Sequence, residues 1–245
     1  MGLVVIIPSR GRPKAVGDVT AAFAATVRVA DTSLVWAVDR TDADLREYRS
    51  AVTHIRNPHV TVDVVDGGTM VAALNETAAR AVADPEVEAV AFLGDDCLPR
   101  TLGWDAAFLS ALRQPGVGIV YPDDLFSSNF VPTHIGMRAS IVRELEWMAH
   151  PDLRHLYVDT LWKDLGSLSG CIRYLKDEDP DRTVVIEHLH YQNNKAPEDD
   201  GYRRVNHPDV YAADEATFAN LRASGEIARA ARVIQRLSQE AWVPR

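Results

Sequence analysis

The chain has 245 residues, 26 Lys+Arg against 35 Asp+Glu and a formal charge of −9, with 47% hydrophobic and 25% charged residues. These values exclude a disordered or fibrous class, and the acidic balance argues against a general nucleic-acid binder, which carries a basic footprint. Two cysteines, Cys97 and Cys171, cannot build a disulfide framework, no apolar run approaches the roughly 18 residues of a membrane span, and residues 3–8 are too short for a signal-peptide core, so a cytoplasmic location is expected.

Four apolar runs, 3–7, 34–38, 60–65 and 87–93, are continuous rather than alternating, the pattern of strands buried on both faces of a parallel sheet. Helices are predicted over 15–27, 43–55, 69–83 and 102–113; in the third, Met70, Leu74, Ala78 and Ala81 follow helical spacing. Strand–helix repetition implies right-handed crossovers and an α/β sheet, with ligands beyond the carboxyl ends of its strands. The second half is less regular: strands at 117–121 and 132–137, helices at 139–148 and 157–168, strands at 171–175 and 183–187, then a polar loop, 192–201. The tail from Asp209 reads as helix, with Phe218, Leu221, Ile227, Ile234 and Leu237 on an apolar stripe and a kink at Gly225.

Five constellations carry chemical potential. Pro8, Ser9, Arg10, Gly11, Arg12, Pro13 and Lys14 place cations where the first strand opens to solvent, suited to a nucleotide or its phosphates, or to a solvated turn. Asp39 ends the second strand, where an acid accepts from a base or ribose, or caps the next helix. Gly94, Asp95, Asp96 and Cys97 follow the fourth strand; adjacent carboxylates repel unless a cation joins them, and hard oxygens suit Mg²⁺ or Mn²⁺. Gly-Asp-Asp is also good turn chemistry. Glu187, His188 and His190 precede Lys195 and the pair Asp199–Asp200; if the strand continues, both imidazoles fall on one side of it as metal ligands. Asp159, in an apolar helix, is either a surface acid or a general base.

In that order, these residues resemble the GT-A glycosyltransferases, the nucleotide-diphospho-sugar transferases, and look closest to the family-2-like group that includes short transferases of actinobacteria and their phages. The resemblance spans about 3–202 and implies a three-layer α/β/α fold with a mixed, mainly parallel sheet, occupying 1–208, with a helical appendage at 209–245. It implies that Pro8, Ser9, Arg10 and Arg12 receive the nucleotide, that Asp39 contacts its base, and that Gly67, Gly68 and Asn75 lie against the donor. Asp95 and Asp96 match the DxD region, although Gly94 stands where the first Asp is usual. Asp96 with His188 or His190, the latter favoured, would hold Mn²⁺ or Mg²⁺; Lys195 would contact the diphosphate, Asp159 would be the catalytic base, and His134 and Arg138 would face the acceptor. The expected activity is metal-dependent transfer of a sugar from a UDP- or GDP-sugar to an acceptor hydroxyl. The acceptor is open among a virion or surface protein, a lipid, a metabolite and a modified DNA base. The rival readings are a sugar nucleotidyltransferase and a non-catalytic glycan- or nucleotide-sugar-binding protein.

Overall fold

The computed structural model describes residues 2–55 and 59–240. Strand β1 (Leu3–Ser9) is buried along its whole length, and its alternating side chains feed two cores. Leu3, Val5 and Ile7 pack with Val19 and Phe23 of α1 (Ala15–Thr26), Tyr48 of α2 (Leu45–Ile55) and Phe108 of α4 (Trp104–Leu112). Val4 and Ile6 face the other way, toward Leu74 of α3 (Met70–Val82), Val142 of α5 (Ala139–Leu145) and Trp162 of α6 (Val158–Ser169). Each such aliphatic side chain contributes about 1.5–3 kcal/mol of burial. Helices therefore cover both faces of the sheet, and the α/β three-layer expectation holds.

The parallel part of the sheet is β1 with β2 (Ser33–Asp39), β3 (Val60–Val65) and β4 (Ala89–Phe92). Past a short strand, β5 (Cys97–Pro99), come β6 (Ile119–Tyr121), β7 (Ile135–Arg138) and β8 (Ile172–Tyr174). The sheet order is β3-β2-β1-β4-β7-β6-β8, with β7 antiparallel to both β4 and β6 and β8 parallel to β6. The predicted strand at 183–187 forms as β9 (Ile186–His188), which pairs antiparallel with β5 in a separate two-stranded sheet.

The direction of β7 corrects one expectation. Phe92 at the carboxyl end of β4 pairs with Ile135, whereas Ala89 at its start pairs with Arg138. His134 therefore stands at the carboxyl end of the parallel strands and Arg138 at the opposite end. There Arg138 is buried and donates to the carbonyls of Leu112, Gln114 and Leu237.

After α7 (Asp200–Val205), the helical tail divides into α8 (Pro208–Ala223) and α9 (Glu226–Gln239). Gly225 adopts φ +75°, a left-handed conformation that costs glycine little, and it breaks the helix rather than kinking it. Phe218, Leu221, Ile227, Ile234 and Leu237 all enter the core shared with α3, α5 and α6. Among the described residues no helix is long and apolar enough to cross a membrane.

Candidate functional site

The carboxyl ends of β1, β2 and β4 open onto a cavity of about 470 Å³. Pro8, Ser9, Arg10, Arg12, Asp39, Gly68, Asp95, Asp96, Asp159, His188 and His190 all line it. Three other nominated residues do not. Gly67 packs so closely on the start of α3 that a Cβ would meet that of Ala72 at 2.4 Å. Asn75 binds backbone, donating to the Ala149 carbonyl at 2.7 Å and accepting from the amides of Met148 and Ala149. The Lys195 ammonium lies 2.7 Å from Glu187.

The floor of the cavity is a closed network. Ser9 Oγ donates to Asp95 Oδ2 at 2.6 Å and shares a second hydrogen bond with the Tyr48 hydroxyl. That hydroxyl also accepts from the Arg12 amide. The Arg12 guanidinium donates to Asp95 Oδ1 at 2.8 Å and to both oxygens of Asp199, and it lies over the Tyr202 ring at 4.4 Å. Burial lowers the proton affinity of Arg12, but Asp199 and Asp95 outweigh it and hold the guanidinium firmly charged. Burial and the neighbouring charge of Asp96 push the Asp95 carboxyl up, against the pull of Arg12.

Asp39 is likewise held by the protein. Its Oδ1 accepts from the amide and hydroxyl of Thr41, and its Oδ2 from the Gly68 amide at 2.7 Å. Burial would raise this carboxyl, yet those donors keep it below the ordinary carboxylate range.

Asp96 is the centre of the second cluster. The β5–β9 register sets Cys97 directly opposite His188, and the Leu189 amide donates to the Asp96 carbonyl. Asp96 Oδ2 accepts from the Tyr202 hydroxyl and lies 3.5 Å from His188 Nε2; Oδ1 lies 3.2 Å from Cys97 Sγ. Burial pushes Asp96 up, but His188, Tyr202 and Cys97 overcome it and hold the carboxyl well below its usual range. One donor atom each from Asp96, Cys97 and His188 lie within 4.8 Å of one another. Two buried imidazole nitrogens beside them, His188 Nδ1 and His134 Nε2, have no hydrogen-bond partner. A carboxylate, a thiol and an imidazole, one donor atom from each, are a donor set that fits a divalent cation.

The expected strand continuation stops at His188, because β5 offers only three residues to pair with. His190 instead caps a 3-10 turn, Tyr191–Asn193, where its Nδ1 accepts from the Gln192 amide at 3.3 Å. Its ring lies on Phe126, with centroids 5.6 Å apart.

On the facing wall, Asp159 sits in the first turn of α6, its Oδ1 accepting from the Thr160 amide, and burial pushes its carboxyl up. The segment leading into α6 is pinned by buried Asp214 of α8, whose carboxylate accepts from the amides of Arg154, His155 and Leu156. Arg154, His155, Tyr202 and Arg204 also line the cavity. They come from irregular segments and a short helix, so nothing in their local pattern marks them; the one readable sign is Asp199, which caps α7 by accepting from the Tyr202 amide. Among the described residues, Arg154 and Arg204 have no ion-pair partner, leaving two cations for a ligand.

Fold and site together define an α/β protein of GT-A-like fold that carries a cluster able to hold a cation beyond the carboxyl ends of its parallel strands. No family profile and no curated protein matches the chain. Among solved structures, it is similar to the mannosyltransferase PcManGT from Pyrobaculum calidifontis in complex with GDP-Man and Mn²⁺, with TM-score 0.58 and 14% identity over 98% of this chain and 76% of that one. It is also similar to residues 1–349 of TarS from S. aureus. In complex with UDP-GlcNAc, the TM-score is 0.54 and the identity 16%, over 84% of this chain and 64% of that one. In a second structure of that TarS fragment, the TM-score is 0.53 and the chain spans 59% of the fragment. At these identities the likeness is one of fold.

Proposed function

We propose that the chain is a metal-dependent glycosyltransferase, moving a sugar from a UDP- or GDP-linked donor to an acceptor hydroxyl. The observation that carries this reading is the convergence of Asp96 and His188 at the end of β4, inside the cavity that also holds Asp39, Gly68 and Asp159. The solved structures of the same fold support it, one holding GDP-Man with Mn²⁺ and another UDP-GlcNAc.

In this reading the nucleoside lies over Pro8, Ser9 and the Asp39–Gly68 clasp, with Arg12 and Asp95 stiffening the floor. Asp96 and His188 would hold a divalent cation, which would supply Lewis-acid neutralisation of the leaving diphosphate. As the glycosidic C–O bond breaks, negative charge grows on the β-phosphate; Arg10, Arg154 and Arg204 line the cavity and share that charge. Asp159 takes the proton of the acceptor hydroxyl on Oδ2, since Oδ1 is occupied by the Thr160 amide. Burial raises the proton affinity of this carboxylate, which makes it the stronger base.

Calorimetry with UDP and GDP, in Mn²⁺, in Zn²⁺ and in chelator, tests the proposal. Binding that requires a divalent cation is expected, followed by turnover of the matching sugar donor. Absence of binding by either nucleotide in all three conditions would sink it, and binding without donor turnover would make the chain a recognition protein.

A further inference from the structure

We infer that Cys97 is a third ligand of the Asp96–His188 site, so that the site selects a zinc-type cation over Mg²⁺ or Mn²⁺. The inference deepens the proposed function and rests on its reading of Asp96 and His188 as cation ligands.

Four observations carry it. First, the three donors are gathered in space: one ligand atom each from Asp96, Cys97 and His188 lie within 4.8 Å of one another. Cys97 Sγ is 3.2 Å from Asp96 Oδ1, and His188 Nε2 is 3.5 Å from Asp96 Oδ2, so both reach the same carboxylate. Second, the placement is built into the backbone, because β5–β9 pairing sets Cys97 across from His188 and Asp96 precedes Cys97. Third, Gly94 has no side chain where the donors meet: a Cβ would fall 2.6 Å from Asp96 Oδ1 and 2.9 Å from Cys97 Sγ. The position where a carboxylate is usual is closed by the thiol and Asp96. Fourth, His134 Nδ1 lies 3.7 Å from Cys97 Sγ, and its Nε2 is buried without a partner. An imidazole against the sulfur can steady a thiolate as an outer partner.

A thiolate is a soft donor that suits zinc and cobalt, whereas Mg²⁺ demands octahedral oxygen ligands. When the sulfur–metal bond forms, the thiol proton leaves to solvent.

The test uses the full chain without nucleotide, titrated with Co²⁺ alone. A near-ultraviolet sulfur-to-cobalt charge-transfer band is expected in the native protein and in Cys171→Ser, and is lost in Cys97→Ser. Competition calorimetry should show Zn²⁺ preferred to Mn²⁺, with the preference reduced on the order of tenfold or more in Cys97→Ser. X-ray absorption of the native cobalt complex should show a sulfur neighbour, a readout independent of whether the variant folds. Absence of the band from the native protein, its persistence in Cys97→Ser, an unchanged Zn²⁺ to Mn²⁺ ratio, or a sulfur-free cobalt shell would each overturn the inference. Nucleotide binding without the band would defeat this inference alone; the band without nucleotide binding would defeat the proposed transferase alone.

Discussion

Arg12 grips both carboxylate oxygens of Asp199 at 2.7 Å, tying the loop after β1 to the cap of α7. Asp199 also accepts from the Tyr202 amide, and Tyr202 in turn donates its hydroxyl to Asp96. One carboxylate therefore sets the aromatic ring that leans on the cation cluster. Asp199→Ala should cost about 1 kcal/mol of stability, since the pair is partly exposed and a helix cap goes with it. The larger effect should be on the donor: KM rises severalfold while kcat changes less. Steady-state kinetics and limited proteolysis of the 191–205 segment check this; an unchanged KM with unchanged cleavage would show the clasp to be dispensable.

Asp96→Asn removes the charge from the cluster at nearly constant shape. Turnover should fall by a factor of 10³ or so, the scale of losing an electrostatic stabiliser of the leaving group, while far-ultraviolet circular dichroism stays native. Full activity in a folded variant would remove Asp96 from the site.

Much of this was legible in the chain because of where burial falls. Strands β1, β2 and β4 are covered on both faces, so they read as apolar runs, and the acids Asp39, Asp95 and Asp96 stand at or just past the strand ends; β3, at the sheet edge, is only partly buried. Strands β5 and β9 have three residues each and leave no periodicity, so neither their pairing nor the meeting of Cys97 with His188 could be read. Asp39 looked equally able to serve a ligand or the chain; both of its oxygens accept from Thr41 and Gly68. Arg154, Tyr202 and Arg204 reach the cavity only through tertiary packing, which no local pattern encodes.

Asp159→Asn should lower kcat by about 10²–10⁴, the usual worth of a general base, with little change in donor KM. The native pH profile should carry an acid limb, because the base works only when ionised and activity rises as pH passes its pKa. Burial lifts that pKa above the ordinary carboxylate value, so the limb should lie at higher pH than an exposed Asp would give. A pH series of kcat for both proteins decides: the limb should vanish in the variant, and its survival would assign the base elsewhere.

Asp214 acts at a distance from the chemistry. Its buried carboxylate satisfies three successive backbone amides, those of Arg154, His155 and Leu156, just before the helix that bears Asp159. Asp214→Ala leaves those amides unpaired and should cost about 2–3 kcal/mol. Thermal unfolding measures the cost. Hydrogen exchange at 154–156 should rise more than in the β1–β4 core; uniform exchange would mean only global loosening.

His155 supplies a prediction about acid stability. Burial pushes its imidazole from an ordinary 6.5 down to about 4. Between those values the unfolded chain binds a proton that the folded chain refuses, so stability is lost as pH falls from about 6.5 toward 4. The full contribution is at most roughly 3–4 kcal/mol, at 1.36 kcal/mol per pKa unit. His155→Gln keeps the backbone amide that Asp214 holds and removes the titration. Urea unfolding at pH 7 and pH 4.5 should show the native protein losing about 2–3 kcal/mol more than the variant across that interval. Carboxylates that titrate in the same range do so in both proteins and cancel in the difference. Equal losses in the two proteins would mean that His155 charges freely in the folded state, and hence that the wall of the cavity around it admits water.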